Sequence, residues 1–138
     1  TGVQDVCSSD LNPKIHYIGL LQHHEALKLQ QSADVIPVLY DPTIPIARVA
    51  NPTKLFEAMM LGKPVITNVC GEMVNQIGCG LVVEYDSDSI RSALLNLRNR
   101  HLREEMGAKA RMAFERAYNW PIMEKKLLRL YSKLLTAK

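Results

Sequence analysis

The segment N-P-T-K-L-F-E-A-M-M-L-G-K-P-V-I-T, Asn51–Thr67, joins a helical pattern to a strand pattern through one glycine. Its helix is predicted over Thr53–Leu61, with Asn51 as the capping residue. The glycine then ends the helix, and Pro64–Thr67 is predicted to be a short buried strand. A helix that leads directly into a buried apolar strand is typical of the repeating unit of a parallel α/β sheet.

The rest of the chain repeats this alternation of short apolar runs and helical periods. Further strands are predicted at Lys14–Gly19, Val35–Tyr40 and Leu81–Tyr85, and helices at Gln22–Ala33, Ser89–Leu97, Leu102–Tyr118 and from Pro121 onward. Pro37 cannot donate a ladder hydrogen bond and predicts an interruption or a pairing gap. Residues 71–80 are interpreted as a turn. The fold class is therefore α/β: a doubly wound parallel sheet of about four strands, with helices on both faces.

Composition limits the classes of function. The 138 residues are 47% hydrophobic and 22% charged, with a net charge of +3, as in an ordinary globular domain. No apolar run reaches the roughly 18 residues that would span a bilayer, and the charge surplus is too small to indicate nucleic acid. Three cysteines match no metal-ligand spacing and are interpreted mainly as free thiols of a cytoplasmic protein, with a Cys70–Cys79 disulfide as the alternative.

The first residues are predicted to be foreign to the domain. Thr1–Leu11 has no apolar period, and V-C-S-S-D-L within it resembles the translation of a sequencing-library adapter. We expect a non-native or disordered segment at 1–11, with a partial domain at 12–138. A frayed natural terminus is the alternative.

The start of the predicted helix is the best candidate for a binding site. A proline-rich loop leads into it, and unpaired backbone N–H groups at Thr53, Lys54 and Leu55, together with the helix dipole, would seat a diphosphate. Lys54 is unfavourable at this positive helix end unless an anion also binds. Glu57, one turn deeper, is placed to meet the vicinal hydroxyls of a ribose, although a solvated surface acid would have the same spacing.

The segment E-A-M-M-L-G-K-P-V-I-T resembles the signature of family-four (group 1) retaining glycosyltransferases, enzymes of GT-B type with two Rossmann-like domains. The similarity continues through L-V-V-E-Y-D and F-E-R-A-Y-N-W-P and covers roughly Lys14 to Leu135. It implies an N-terminally truncated C-terminal domain, the half that binds the nucleotide-sugar donor. A sheet lacking its first strands should leave Lys14–Gly19 apart from Val35–Tyr40 or pair the two non-natively.

The resemblance implies roles for single residues. Glu57 would hold the nucleotide ribose, and the amides of Thr53, Lys54 and Leu55 would hold the diphosphate. The acid that touches the donor sugar in the family is replaced by Val49 here.

Four further residues are candidate contacts for the donor sugar or diphosphate. Asn51 and Pro52 belong to a variant Pro/Lys segment, Asp41 is the nearest upstream acid, and Gly71 permits close backbone approach, although a plain turn explains Gly71 equally well.

The implied activity is transfer of a sugar from a nucleotide-diphosphate sugar to a glycan, lipid or other acceptor, with retention. No catalytic residue is expected in this fragment, which would be inactive alone, and no cofactor or metal is expected. Its partners would be the donor and the missing N-terminal acceptor domain. Two alternatives stay open: a non-catalytic α/β ligand-binding or signalling module, and a sugar-nucleotide epimerase of the same fold.

Other signals have simpler explanations. Asp86-Ser87-Asp88 spells a metal-binding D-x-D, but its position before a helix favours capping. Tyr118 and Trp120 are interpreted as a packing anchor for the last helix, which in the family docks toward the other domain. The basic side of that helix is either solvated or a peripheral contact with anionic lipid at the inner face of a membrane.

Overall fold

The computed structural model describes residues 13–49 and 51–136. The prediction for Thr1–Leu11 lies outside these residues. In chain order the elements are α1 (His23–Ser32), β1 (Ile36–Val38), a 3-10 helix (Pro45–Arg48), α2 (Thr53–Met60), β2 (Val65–Thr67), α3 (Gly71–Ile77), β3 (Gly80–Val82), α4 (Ser87–Asn96), α5 (Arg100–Ala117) and α6 (Trp120–Thr136).

The strands form one parallel sheet in the order β1-β2-β3, which confirms the α/β class. Three of the four predicted strands are present, although each is shorter than predicted. Pro37 lies inside β1 opposite Ile66 and does not interrupt it. The described sheet leaves one side of β1 unpaired, and a strand at an edge tolerates a residue without an N–H.

The prediction of a strand at Lys14–Gly19 is wrong. This segment is irregular and lies apart from β1, one of the two outcomes expected of an incomplete sheet. Ile15, Tyr17 and Ile18 are 57%, 70% and 55% exposed. Their apolar, β-branched pattern carries strand propensity, but a strand also needs a partner to satisfy its backbone.

Helices cover both faces of the sheet, as predicted. On one face, Ile36, Val38 and Val65 pack with Leu55 and Met59 of α2, and α3 and α5 complete this core. On the other face, a smaller cluster joins Ile66 to residues of α4. The alternation of adjacent strand residues between the two cores follows from the two-residue period of a strand.

The turn from α2 to β2 fixes where α2 points. Gly62 has a φ of +65°, its N–H donates to the Met59 carbonyl, and the Lys63 N–H donates to the Ala58 carbonyl. This pair of bonds is a Schellman motif and confirms that Gly62 ends the helix. Since β2 begins at Val65, the end of α2 lies at the amino edge of the sheet and its start lies toward the carboxyl edge.

Helix α3 was not predicted. The interpretation of residues 71–80 as a turn is wrong for Gly71–Ile77, which is helical. Glycines stand at 71, 78 and 80. Of these, Gly78 does end the helix, with a φ of +70°. A helix of seven residues that buries only Val74 is too short to show an apolar period in sequence.

Candidate functional site

The start of α2 meets the start of α3 at the carboxyl edge. The chain leaves β1 at Val38, passes through the loop and 3-10 helix, and begins α2 at Thr53; it leaves β2 at Thr67 and begins α3 at Gly71. The Cys70 thiol lies 3.1 Å from the Asn51 side-chain oxygen and so links the two helix starts. Ligands of open parallel α/β sheets bind at this edge.

Asn51 does not cap α2, contrary to the prediction. The residue that precedes the first helical residue is Pro52, and no side chain accepts a hydrogen bond from the first turn. The Asn51 oxygen faces the Cys70 thiol instead. Burial raises the pKa of the Cys70 thiol, so it stays a neutral donor to Asn51 at neutral pH.

The backbone amides at the start of α2 differ in whether they have a hydrogen-bond acceptor. The Leu55 N–H donates to the Pro52 carbonyl at 3.0 Å, so the prediction of an unpaired amide at Leu55 is wrong. No described residue accepts from the amides of Thr53 or Lys54, and both residues are exposed. The anion-binding capacity of this helix start therefore rests on two adjacent amides.

Lys54 adds a positive charge to this helix end. The first turn of α2 contains no acidic residue, and no ion pair in the described part of the chain includes Lys54. A cation beside the positive end of a helix dipole is unfavourable, and nothing described here offsets it. The local charge balance therefore favours a bound anion.

Glu57 lies one turn further along α2, and two residues of α1 contact its carboxylate. The side chain is 22% exposed. The Gln30 side-chain amide donates to one carboxylate oxygen at 3.2 Å, and His23 Nδ1 lies 3.9 Å from the other. The remaining amide oxygen of Gln30 is buried without a partner. Glu57 is thus a positioned, half-buried carboxylate rather than a freely rotating surface acid.

The Asp41 carboxylate forms hydrogen bonds within the loop that follows β1. Its carboxylate accepts from the Thr43 hydroxyl at 2.7 Å and from the Thr43 N–H at 2.8 Å. These two hydrogen bonds lower the pKa of Asp41, so it carries a negative charge at neutral pH. A fixed negative charge suits contact with sugar hydroxyls better than contact with a phosphate.

Gly71 begins α3 against β3. A Cβ at this position would lie 3.1 Å from Val82 Cγ1, so close helix–strand packing by itself explains a glycine here. Its backbone nevertheless lies at the same edge as the start of α2.

Two polar residues, Thr67 at the end of β2 and Asn68 directly after it, organise this edge and were not predicted from sequence. The Asn68 amide donates to the Tyr40 carbonyl at 2.6 Å and accepts from the Tyr40 N–H at 2.9 Å, which extends the ladder beyond β1. The buried Thr67 hydroxyl lies 2.8 Å from the Val38 carbonyl. Polar residues at the carboxyl end of a buried strand were the available signal.

An apolar cavity of about 380 Å³ opens beside the helix start. Its lining residues are mostly aromatic or sulfur-containing, with two asparagines: Asn51, Phe56, Met73, Tyr118, Asn119, Trp120 and Met123. Tyr118 packs on Phe56 with ring centroids 5.8 Å apart, as a packing anchor should. Trp120 is 67% exposed, so its prediction as a packing anchor is wrong.

The acidic D-x-D has the predicted capping role. Asp86 accepts hydrogen bonds from the N–H groups of Asp88 and Ser89 at 3.0 and 2.8 Å and so begins α4. Within residues 13–49 and 51–136, no three His, Cys, Asp or Glu side chains are grouped as metal ligands. Cys70 and Cys79 are thiols rather than a disulfide, as predicted.

None of the described helices has the length and apolar character needed to cross a bilayer. Comparisons with protein-family models, with curated proteins and with solved structures found no significant match.

Proposed function

We propose that this chain is the donor-binding part of a nucleotide-sugar-dependent, retaining glycosyltransferase, namely a partial Rossmann-like domain from the C-terminal half of a GT-B fold. The observation that carries the proposal is the start of α2. The backbone amides of the exposed residues Thr53 and Lys54 have no described partner, and the Lys54 ammonium has no acid beside it. The Glu57 carboxylate is held one turn further along the helix. In a nucleoside diphosphate, the negative diphosphate would meet the amides and Lys54, and the hydroxyls of the neighbouring ribose would meet the Glu57 carboxylate.

In this proposal the amides of Thr53 and Lys54 and the Lys54 ammonium bind the diphosphate. The same groups stabilise the charge that develops on the leaving nucleoside diphosphate, a task that metal ions perform in other transferases. Glu57 accepts from the ribose hydroxyls. Gln30 keeps its carboxylate in place, because that amide already satisfies one oxygen.

Sugar transfer would also require groups outside this chain. The proposed partner is an N-terminal acceptor-binding domain of the same protein, and the proposed setting is the cytoplasm or the inner face of the membrane. Asp41 and the Gly71 backbone stand at the same edge as the diphosphate site and are the proposed neighbours of the donor sugar. The amide of Leu55 takes no part, because it is bonded to Pro52.

Replacing Thr53 with proline tests the amide site with little change to the fold. Proline at the first helical position removes one N–H that no described residue uses, and Pro52, with φ −66° and ψ 131°, already has the backbone that a following proline requires. We expect Thr53→Pro to weaken binding of a nucleoside diphosphate about tenfold to a hundredfold, measured by calorimetric titration, because one hydrogen bond to a charged group is lost.

Ser87→Pro is the matched control, since Ser87 is the first residue of α4 and follows a residue with equally extended backbone. It should leave the affinity unchanged. Equal affinities of parent and Thr53→Pro, or no measurable binding by the parent, would contradict the proposal and favour a module without a nucleotide site.

A further inference from the structure

The two oxygens of the Glu57 carboxylate have different surroundings. Oε2 accepts from the Gln30 side-chain amide at 3.2 Å. Oε1 lies 3.9 Å from His23 Nδ1, whereas a hydrogen bond between nitrogen and oxygen needs about 2.7–3.2 Å. His23 therefore faces Oε1 without bonding to it, and Oε1 has no hydrogen-bond partner within the described chain.

The gap between His23 Nδ1 and Glu57 Oε1 has the width that one hydroxyl group fills. Two hydrogen bonds of about 2.8 Å that meet at a hydroxyl oxygen span this gap at an angle of about 90°. A hydroxyl can donate to the carboxylate and at the same time accept from the imidazole N–H. The His23 side chain is 74% exposed and the Glu57 side chain 22%, so a ligand can reach both.

Helix α1 presents His23 and Gln30 on the same side. The two positions are seven residues apart, which is close to two full turns, whereas His24 is rotated by about 100° from His23 around the helix. The start of α1 is held by the Gln22 N–H, which donates to the Glu25 carboxylate at 3.0 Å. The backbone at His23, the first residue of α1, is thus fixed beside Glu57.

The fold itself makes little use of the His23 side chain. It is exposed, and within the described chain its one polar contact is with Glu57. A largely exposed ion pair at this distance contributes little to stability. A ligand that brings a hydroxyl into the gap gives the pair a use that packing does not.

We propose that His23 is a second ribose-binding residue, and that one ribose hydroxyl of the bound nucleotide donates to Glu57 Oε1 and accepts from His23 Nδ1–H. The inference rests on the proposed function, because it takes Glu57 as the carboxylate that binds ribose. It adds the start of α1 to the donor site. Because the gap admits one hydroxyl oxygen, His23 contacts only one of the two vicinal hydroxyls, whereas Glu57 can accept from both.

Nucleotides that lack one ribose hydroxyl test this geometry. The full chain is titrated calorimetrically with a ribonucleoside diphosphate and with its 2′-deoxy and 3′-deoxy analogues, and the parent should bind each analogue more weakly than the ribose form. His23→Ala should reduce the discrimination against one analogue about threefold, because one hydrogen bond to that hydroxyl is lost. The discrimination against the other analogue should stay unchanged.

Two further variants serve as controls. His23→Asn keeps a hydrogen-bonding group close to the position of Nδ1 and should retain most of the discrimination shown by the parent. His24→Ala removes the neighbouring histidine, which forms no ion pair within the described chain, and should match the parent with all three nucleotides.

Equal discrimination by the parent and by His23→Ala would overturn the inference and leave the proposed function intact. An equal reduction for both deoxy analogues would also overturn it, because His23 would then act only by orienting Glu57. A parent chain that binds all three nucleotides equally would contradict the ribose role of Glu57, and the inference would fail with it.

Discussion

The two edges of the sheet both carry basic side chains, but they differ in whether those side chains pair with acids. At the amino edge, a polar cavity of about 370 Å³ is lined by Lys63, Arg100 and Arg103 together with Asp34 and Glu104. Both arginines there pair with the acids. At the carboxyl edge, Lys54 and two amides have no acidic partner among the described residues, beside a cavity of about the same size.

The difference shows that cavity size alone does not mark a ligand site. The amino edge pairs both of its arginines with acids, and α5 there packs closely against the backbone of the turn after α2, which stabilises the fold. At the carboxyl edge, the positive end of α2 has no acidic residue in its first turn, which favours binding of a negatively charged ligand. Three measurements sharpen this contrast, one on the packing of the amino edge, one on its charges, and one on the ligand of the carboxyl edge.

The largest expected effect is at Gly107, where α5 crosses the turn after α2. A Cβ at Gly107 would lie 2.3 Å from the Gly62 carbonyl oxygen, a backbone atom that cannot rotate away. We expect Gly107→Ala to lower the free energy of unfolding by about 3 kcal/mol or more, measured by urea denaturation. At the carboxyl edge, Gly71→Ala would meet only the Val82 side chain, which can shift by a few tenths of an ångström, and should cost about 1 kcal/mol. Equal losses in the free energy of unfolding for the two variants would show that the two edges do not differ in how tightly they pack.

A smaller effect is expected at Arg103. Its guanidinium donates to the carbonyls of Leu97 and Arg98 at 2.7 and 3.0 Å, at the end of α4, and lies 3.2 Å from Asp34. Because the Arg103 side chain is 21% exposed and Asp34 is 80% exposed, the carbonyl bonds contribute more than the ion pair.

Arg103→Met should lower the free energy of unfolding by about 1–3 kcal/mol, since it removes charged donors from carbonyls that have lost their helical partners. Arg100→Met breaks only the exposed pair with Glu104 and should leave the free energy of unfolding nearly unchanged. Denaturation curves that coincide for the two variants would show that Arg103 has no special role in closing this edge.

Much of the fold could be predicted because its apolar patterns are local. The helix α2 and the strand β2 follow from a helical apolar pattern and a short apolar run separated by Gly62, and Asp86 caps α4 where a polar residue precedes a helical period. The strand predicted at Lys14–Gly19 failed for a non-local reason. Its pattern carries propensity, but the segment pairs with no strand of the described sheet, and local pattern does not determine that pairing.

The candidate site could be located from sequence but not described in detail. The position of α2 after a long loop identified Thr53, Lys54 and Glu57 as neighbours. That Leu55 donates to Pro52, and that Asn51 faces Cys70 rather than the helix, depends on backbone angles that residue types do not determine. The hydrogen bond from Gln30 to Glu57 joins residues 27 positions apart, beyond the reach of any local pattern.

The central claim is that Glu57 binds the ribose of a nucleotide, and a thermodynamic cycle tests it most directly. The parent chain and Glu57→Ala are each titrated with a nucleoside diphosphate and with its 2′,3′-dideoxy analogue; Glu57→Gln keeps the shape of the side chain, and Glu72→Ala removes another acid at the same edge. We predict that the parent prefers the ribose form about tenfold, that the Glu57 variants lose this preference, and that Glu72→Ala keeps it. An equal preference for ribose in the parent and in Glu57→Ala would contradict the account.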